Sequence, residues 1–216
     1  MNNIRAAGSP EGRSAPDGRS TNDPDLADLI ARCLAGDQAA YAALYDRYAP
    51  SLYRLAYSIL LVEQDAEDVL QEVMVYAFRN LHRYDPMRAA FRTWLYTITV
   101  SRCRNARRRK WLPTVALANL LNVGVEPPAP EDESPEVRAA WAEVHGSLQD
   151  ALRTLSPRLR EAVALRYGQG LTYREMAAIM DCPQKTDESR VRLAHEQLRR
   201  AMSPADVAAL AALWHI

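Results

Sequence analysis

Apolar residues recur every three to four positions along most of this chain, the period of an α-helix. Leu26, Leu29, Ile30, Cys33 and Leu34 share one helical face; Gly36 is placed to end that helix and Asp37 to cap the next. Tyr41, Leu44, Tyr45 and Tyr48 mark a second helix, expected to stop before Pro50. Leu52, Leu55, Ala56, Ile59 and Leu60 mark a third. The most regular stretch is the fourth: Ala66, Val69, Leu70, Val73, Met74, Ala77, Phe78 and Leu81 keep the spacing, and Tyr84-Asp85-Pro86 breaks it. A fifth segment has Phe91, Trp94, Leu95 and Ile98 as its apolar stripe and runs on into a basic stretch.

Periodicity returns after a long gap. Val137, Trp141, Val144, Leu148, Leu152 and Leu155 fit one helix, and Ser156-Pro157 reads as N-cap and first residue of another, ending at Gly168 and Gly170. Thr172-Tyr173-Arg174-Glu175 has the form of a capping box, in which the first and last side chains satisfy each other's backbone N–H. It opens a short helix containing Met176, Ala177 and Ile179. Asp181-Cys182-Pro183 makes a turn, and a longer helix follows with Val191, Ala194 and Leu198 inside. No alternating strand pattern appears. The expected fold is all-α: two small helical domains, residues 26–112 and 136–203, the second containing a helix-turn-helix. Residues 1–25, rich in Gly, Ser, Pro, Asn and Asp, are expected to be disordered. A short helix is expected within 204–216, with Val207, Leu210, Leu213 and Trp214 on its apolar face.

Composition sharpens the division. The 216 residues carry 27 basic and 27 acidic side chains, and the cancellation hides a pattern. Both helical blocks are mildly basic, whereas residues 113–135 hold no basic side chain, the acids Glu126, Glu131, Asp132 and Glu133, and five prolines. That stretch reads as a flexible acidic linker, with a short helical turn around Leu117–Leu121. No apolar run approaches the ~20 residues of a membrane span, and the first residues have no secretory apolar core. Cys33, Cys103 and Cys182 form no metal motif and no disulfide framework, so each reads as a small buried hydrophobe in a reducing, cytoplasmic setting.

Enzyme chemistry finds no support. His82, His145, His195 and His215 are scattered, no glycine-rich phosphate loop occurs, and neither a metal nor another cofactor is expected. Nucleic-acid chemistry has two candidates. The helix-turn-helix exposes Lys185, Glu188, Ser189, Arg192, His195 and Arg199, of which the basic and hydroxyl side chains suit phosphates and base edges. The stretch Phe91–Lys110 joins aromatic residues to Arg102, Arg104, Arg107, Arg108, Arg109 and Lys110, a combination suited to single-stranded nucleic acid. The fourth helix adds an acidic side: Glu63, Asp65, Glu67, Asp68 and Glu72. Acids in a first turn also suit the helix dipole.

At these residues the chain resembles the bacterial sigma factors of the extracytoplasmic-function (group IV) type. Asp65-Ala66-Glu67-Asp68-Val69-Leu70-Gln71-Glu72 looks like the family's run that binds the clamp helices of the polymerase β′ subunit. Phe91-Arg92-Thr93-Trp94-Leu95-Tyr96-Thr97-Ile98 resembles the run that precedes its −10-binding basic stretch. Leu155-Ser156-Pro157 through Met180 resembles the start of its −35-reading domain. The resemblance implies that Asp65, Asp68, Gln71 and Glu72 bind core RNA polymerase, with contacts to the β′ and β subunits. It implies −10 DNA contacts by Arg92, Arg102, Arg104, Arg107, Arg108 and Arg109, and −35 contacts by Lys185, Ser189, Arg190, Arg192 and Arg199. It also implies an anti-sigma partner and no catalytic residue.

The recognition helix departs from the family's usual Pro-x-Gly-Thr-Val-Lys-Ser-Arg. Here Pro183-Gln184-Lys185-Thr186-Asp187-Glu188-Ser189-Arg190 stands instead, placing Asp187 on the apolar stripe and Glu188 on the exposed side. Carboxylates near DNA phosphates repel. Two alternatives to a fully competent sigma factor follow: a sigma-like protein with impaired −35 reading, and a stand-alone helix-turn-helix regulator.

Overall fold

A computed structural model describes residues 24–111 and 135–206, and within these every regular element is helical. The N-terminal half comprises α1 (Pro24–Leu34), α2 (Gln38–Leu60), α3 (Glu63–Arg79), a 3₁₀ turn (Leu81–Arg83) and α4 (Phe91–Trp111). The C-terminal half comprises α5 (Pro135–Thr154), α6 (Pro157–Val163), a π-helical turn (Ala164–Gly168), α7 (Tyr173–Met180) and α8 (Gln184–Ala201). The turn expected at Leu117–Leu121 and the apolar face Val207–Trp214 lie outside the described residues. Pro204–Asp206 does form a helical turn, and Ser147 Oγ on α5 donates to Asp206 Oδ2 at 2.8 Å.

Local signals explain most helix boundaries. Asp37 caps α2 with Oδ1, accepting from the N–H groups of Ala39 (2.9 Å) and Ala40 (3.4 Å), while its Oδ2 receives Arg32 from α1. One aspartate thus sets both the start of α2 and the α1–α2 angle. Gly36, at φ +89°, supplies the left-handed residue this tight corner needs. Thr172 and Glu175 form the expected capping box: Thr172 N donates to Glu175 Oε2 at 2.8 Å, and Glu175 N to Thr172 Oγ1 at 3.3 Å. Ser156 and Pro157 stand at the expected N-cap and first positions of α6; the Ser156 side chain makes no cap bond, and its carbonyl starts the helix by accepting from Arg160 N at 3.0 Å.

The second and third expected helices are one. Pro50 lies inside α2, which runs unbroken to Leu60. An internal proline costs roughly 3 kcal/mol, because it lacks the N–H and crowds the preceding turn. Burial outweighs that cost. Leu44, Leu52, Leu55 and Ile59 are each within 1% of full burial on one face spanning Pro50, and each contributes about 1.5–3 kcal/mol. Breaking the helix at Pro50 would turn half of that face away from α3 and α4.

Helix α4 is the centre of the molecule. One side packs on α2 and α3, the other on α7. Its stripe is therefore wider than Phe91, Trp94, Leu95 and Ile98: Tyr96, Thr99, Val100 and Cys103 are buried too. Trp94 is half-buried in an aromatic cluster with Tyr84 and Phe91, to which Tyr48 adds an edge-to-face contact on Phe91.

Candidate nucleic-acid and polymerase interfaces

Helix α3 buries Ala66, Val69, Val73 and Ala77 against its neighbours, so its 3.6-residue period turns Asp65, Asp68, Gln71 and Glu72 toward the other side. Asp68 and Gln71 are exposed; Asp65 and Glu72 are half-buried. Glu72 is engaged from α4. Arg109 donates to its Oε1 at 2.9 Å, and Arg102 lies 3.8 Å from its Oε2 while stacking its guanidinium on the Tyr76 ring.

The structure brings the six arginines named for −10 DNA onto α4, and each of them is already paired. Arg102 and Arg109 hold Glu72. Arg108 donates to Asn105 Oδ1. Arg92 donates to the carbonyl of Gln169, from the C-terminal half, and its guanidinium covers Tyr96. Arg104 and Arg107 both reach Glu161 on α6, at 2.8 and 3.0 Å, and Arg158 reaches the same carboxylate at 3.3 Å. Glu161 is fully buried among these cations. Sequence reasoning missed it. The available signal was a carboxylate set between Leu159, Ala162 and Leu165 in a helix that burial closes on both sides.

In the helix-turn-helix, Lys185, Ser189, Arg192 and Arg199 lie on the exposed side of α8. Ser189 Oγ donates to the Lys185 carbonyl, which leaves its lone pairs as acceptors. Arg190 is not on that face. It donates to Asp187 Oδ1 at 2.9 Å and to Cys182 Sγ at 3.0 Å. Asp187 itself is fully buried, so its carboxylate does not approach a phosphate; the repulsion expected of it is corrected by burial. Glu188 is exposed and accepts from Gln184 Nε2 at 2.9 Å.

Glu188 borders a cleft of about 370 Å³ with Tyr167, Tyr173, Arg192, His195 and Arg199. Tyr167 stacks on His195 at 5.1 Å. Burial holds His195 below its ordinary value, and Arg199 lowers it further, so the ring is neutral at physiological pH and presents a hydrogen-bonding edge rather than a charge. Leu193 is exposed on the same helix.

Among the described residues, no cluster of three metal-ligating side chains forms. Burial, reinforced by Glu161, pushes the Cys103 thiol up to about 12, which leaves it protonated and inert. No helix among the described residues is long and apolar enough to cross a membrane.

Comparison with known proteins assigns both halves. Residues 44–112 match Sigma-70 region 2, and residues 145–198 match Sigma-70, region 4. These two modules in this order define a sigma-70-type transcription initiation factor. The RNA polymerase sigma-H factor of Pseudomonas aeruginosa is 31% identical over 180 residues, covering 82% of this chain and 93% of the relative. The ECF RNA polymerase sigma-E factor of Escherichia coli K12 is 34% identical over the same length, with the same coverage. The structure of CnrH in complex with the cytosolic domain of CnrY matches with a TM-score of 0.56 at 27% identity, over 82% of this chain and 95% of that one. The sigma factor RpoE of Bartonella quintana, solved with the anti-sigma factor NepR, shares the fold with a TM-score of 0.59 at 23% identity, over 74% of this chain and 95% of that one. The chain belongs to the extracytoplasmic-function sigma factors. It directs RNA polymerase to promoters, and its partners are core polymerase and promoter DNA.

Proposed function

We propose a division of labour within that activity. Asp65, Asp68, Gln71 and Glu72 dock on a basic surface of core polymerase. Arg92, Arg102, Arg104, Arg107, Arg108 and Arg109 hold the opened −10 strand. Lys185, Ser189, Arg192 and Arg199 hold the −35 duplex, and Arg190 supports them by fixing the first turns of α8. The observation that carries this reading is the two-sidedness of the α3–α4 pair: an acidic face on α3 beside a row of arginines on α4, joined through Glu72. Acid meets protein and cation meets phosphate, so one small domain can hold both partners at once.

Nucleotide chemistry stays with the polymerase, and the chain acts where the polymerase does, in the cytoplasm. An anti-sigma partner fits as well, since the CnrH and RpoE structures are complexes, with CnrY and with the anti-sigma factor NepR. Run-off transcription with purified bacterial core polymerase on a library of random promoters tests the reading. Start sites sharing −35 and −10 elements support it. The absence of both transcription and core binding overturns it in favour of a stand-alone regulator. Burial of Asp187 removes half the ground for impaired −35 reading, so a −35 element is expected.

A further inference from the structure

Helix α8 carries its exposed charges in an order that phosphate binding alone does not require. Along its outer side stand Lys185, Glu188, Ser189, Arg192 and Arg199, so a carboxylate sits in the second turn between two cations. The first turns of a recognition helix are the part that reaches base edges, and Glu188 lies in them, since α8 starts at Gln184. A carboxylate there costs affinity against phosphate oxygens unless it meets a hydrogen-bond donor on the DNA.

The geometry leaves it ready for one. Gln184 Nε2, one turn earlier, donates to Glu188 Oε1 at 2.9 Å. That bond steadies the side chain along the helix and leaves Oε2 for a donor outside the chain. Arg192 stands one turn later, at the spacing that suits a helical ion pair, yet the partner of the carboxylate is the neutral Gln184, and its charge stays uncancelled. Asp187 differs, being sealed in the core and held by Arg190. Beside Glu188, Ser189 spends its hydroxyl proton on the Lys185 carbonyl. This turn therefore offers acceptors only, whereas Lys185 before it and Arg192 after it offer donors only. Lys185 to Arg192 spans about 10 Å of helix axis, the length of roughly three base pairs.

Base edges in the major groove sort against that pattern. Guanine shows O6 and N7 and thymine shows O4, all acceptors, which repel a carboxylate. Adenine sets the acceptor N7 beside its N6 amine. Cytosine presents its N4 amine with no acceptor of its own beside it. We infer that Glu188 is a specificity residue: it accepts from the N4 amine of a cytosine at an interior position of the −35 element and excludes guanine and thymine there, while Lys185 and Arg192 face acceptor edges or phosphates to either side. The inference rests on assigning α8 to the −35 duplex. The acid that departs from the family's pattern then narrows the set of promoters rather than weakening −35 reading.

The test uses the full chain with bacterial core polymerase. Run-off transcription by the wild-type chain on a library of random promoters first defines the −35 element. Each of its positions is then filled with all four bases and transcribed with the wild type, Glu188→Gln and Glu188→Ala. Glu188 is exposed, so both variants keep the fold, which circular dichroism melting checks. With the wild type, cytosine at one position is expected to outperform guanine and thymine about tenfold, the scale of one good base contact. Glu188→Gln should transfer the preference to adenine, because an amide both accepts from N6 and donates to N7. Glu188→Ala should be indifferent at that position and unchanged at the others. The inference is overturned by a wild-type −35 element without such a cytosine, or by preferences that survive both substitutions. It is equally overturned by a uniform gain with Glu188→Ala on all −35 sequences, the mark of plain repulsion, or by a uniform loss on all of them. Transcription by the wild type from promoters that share no −35 element is a different failure: it removes the assignment of α8 to the duplex, and the inference with it.

Discussion

Asp187 and Arg190 stand one turn apart on α8, with Arg190 Nη1 2.9 Å from Asp187 Oδ1 and the aspartate wholly sealed from solvent. The pair explains how a carboxylate survives on the apolar stripe of a helix-turn-helix. It also changes what each residue does: the aspartate faces the core, and the arginine is spent on holding it. The second carboxylate oxygen has no protein partner, so the pair is an imperfect solution whose removal is informative.

Removing one member should hurt more than replacing the aspartate with a hydrocarbon. Asp187→Asn weakens the grip on Arg190 and should lower stability by about 1–3 kcal/mol. Asp187→Val fills the site with an apolar group and lets the partly exposed Arg190 turn to water, so the change should stay within ~1 kcal/mol. Urea unfolding of both variants beside the wild type measures the difference. A valine variant less stable than the asparagine one would contradict this account.

The acidic face of α3 makes a sharper prediction. Asp68 is exposed, so Asp68→Arg should leave the thermal midpoint within a degree or two, as is usual for a surface substitution. The same change reverses a charge at the proposed docking surface and should reduce core-polymerase affinity at least tenfold. Pull-down with purified core, run beside circular dichroism melting, separates loss of binding from loss of fold.

Proton uptake at His195 has a defined sign. Its folded-state affinity is below the ordinary 6.5, chiefly because of burial and secondarily because of Arg199. As pH falls below the ordinary value, the unfolded chain binds a proton that the folded chain does not, so stability is complete above this window and declines within it. The imidazole resonances should titrate with a midpoint below 6.5, and Tyr167→Ala, which uncovers the ring, should move the midpoint upward.

Two backbone devices offer simpler checks. Thr172→Ala removes the acceptor of the capping box and should cost about 1 kcal/mol. Pro50→Ala restores a helical N–H within α2 and should raise stability by about 1 kcal/mol or more. Thermal melting of both variants should show shifts of opposite sign.

Much of this structure was legible because periodicity and caps act locally. The α3 stripe, the Asp37 cap, the Thr172–Glu175 box and the turn before α8 all depend on residues within a few positions of one another. What was not legible depends on distant burial. Pro50 reads as a terminator until the core that straddles it is known. The Tyr96 side of α4 looks polar-tolerant until the C-terminal half covers it. Asp187 reads as a charge out of place on the apolar stripe until Cys182 and Arg190 are seen around it. Glu161 gives the clearest case, since its partners Arg104 and Arg107 lie more than fifty positions away.

The thiol of Cys103 sits beside that same carboxylate, sealed and with its proton held up to about 12. Such a thiol is silent to alkylating reagents while it stays covered and answers only during excursions that expose it. Cys103 is therefore a built-in clock. At low reagent concentration its alkylation measures how often its cover is lifted, and at saturating concentration it measures how fast. The molecule thus carries its own recorder of residence times, with no foreign label attached.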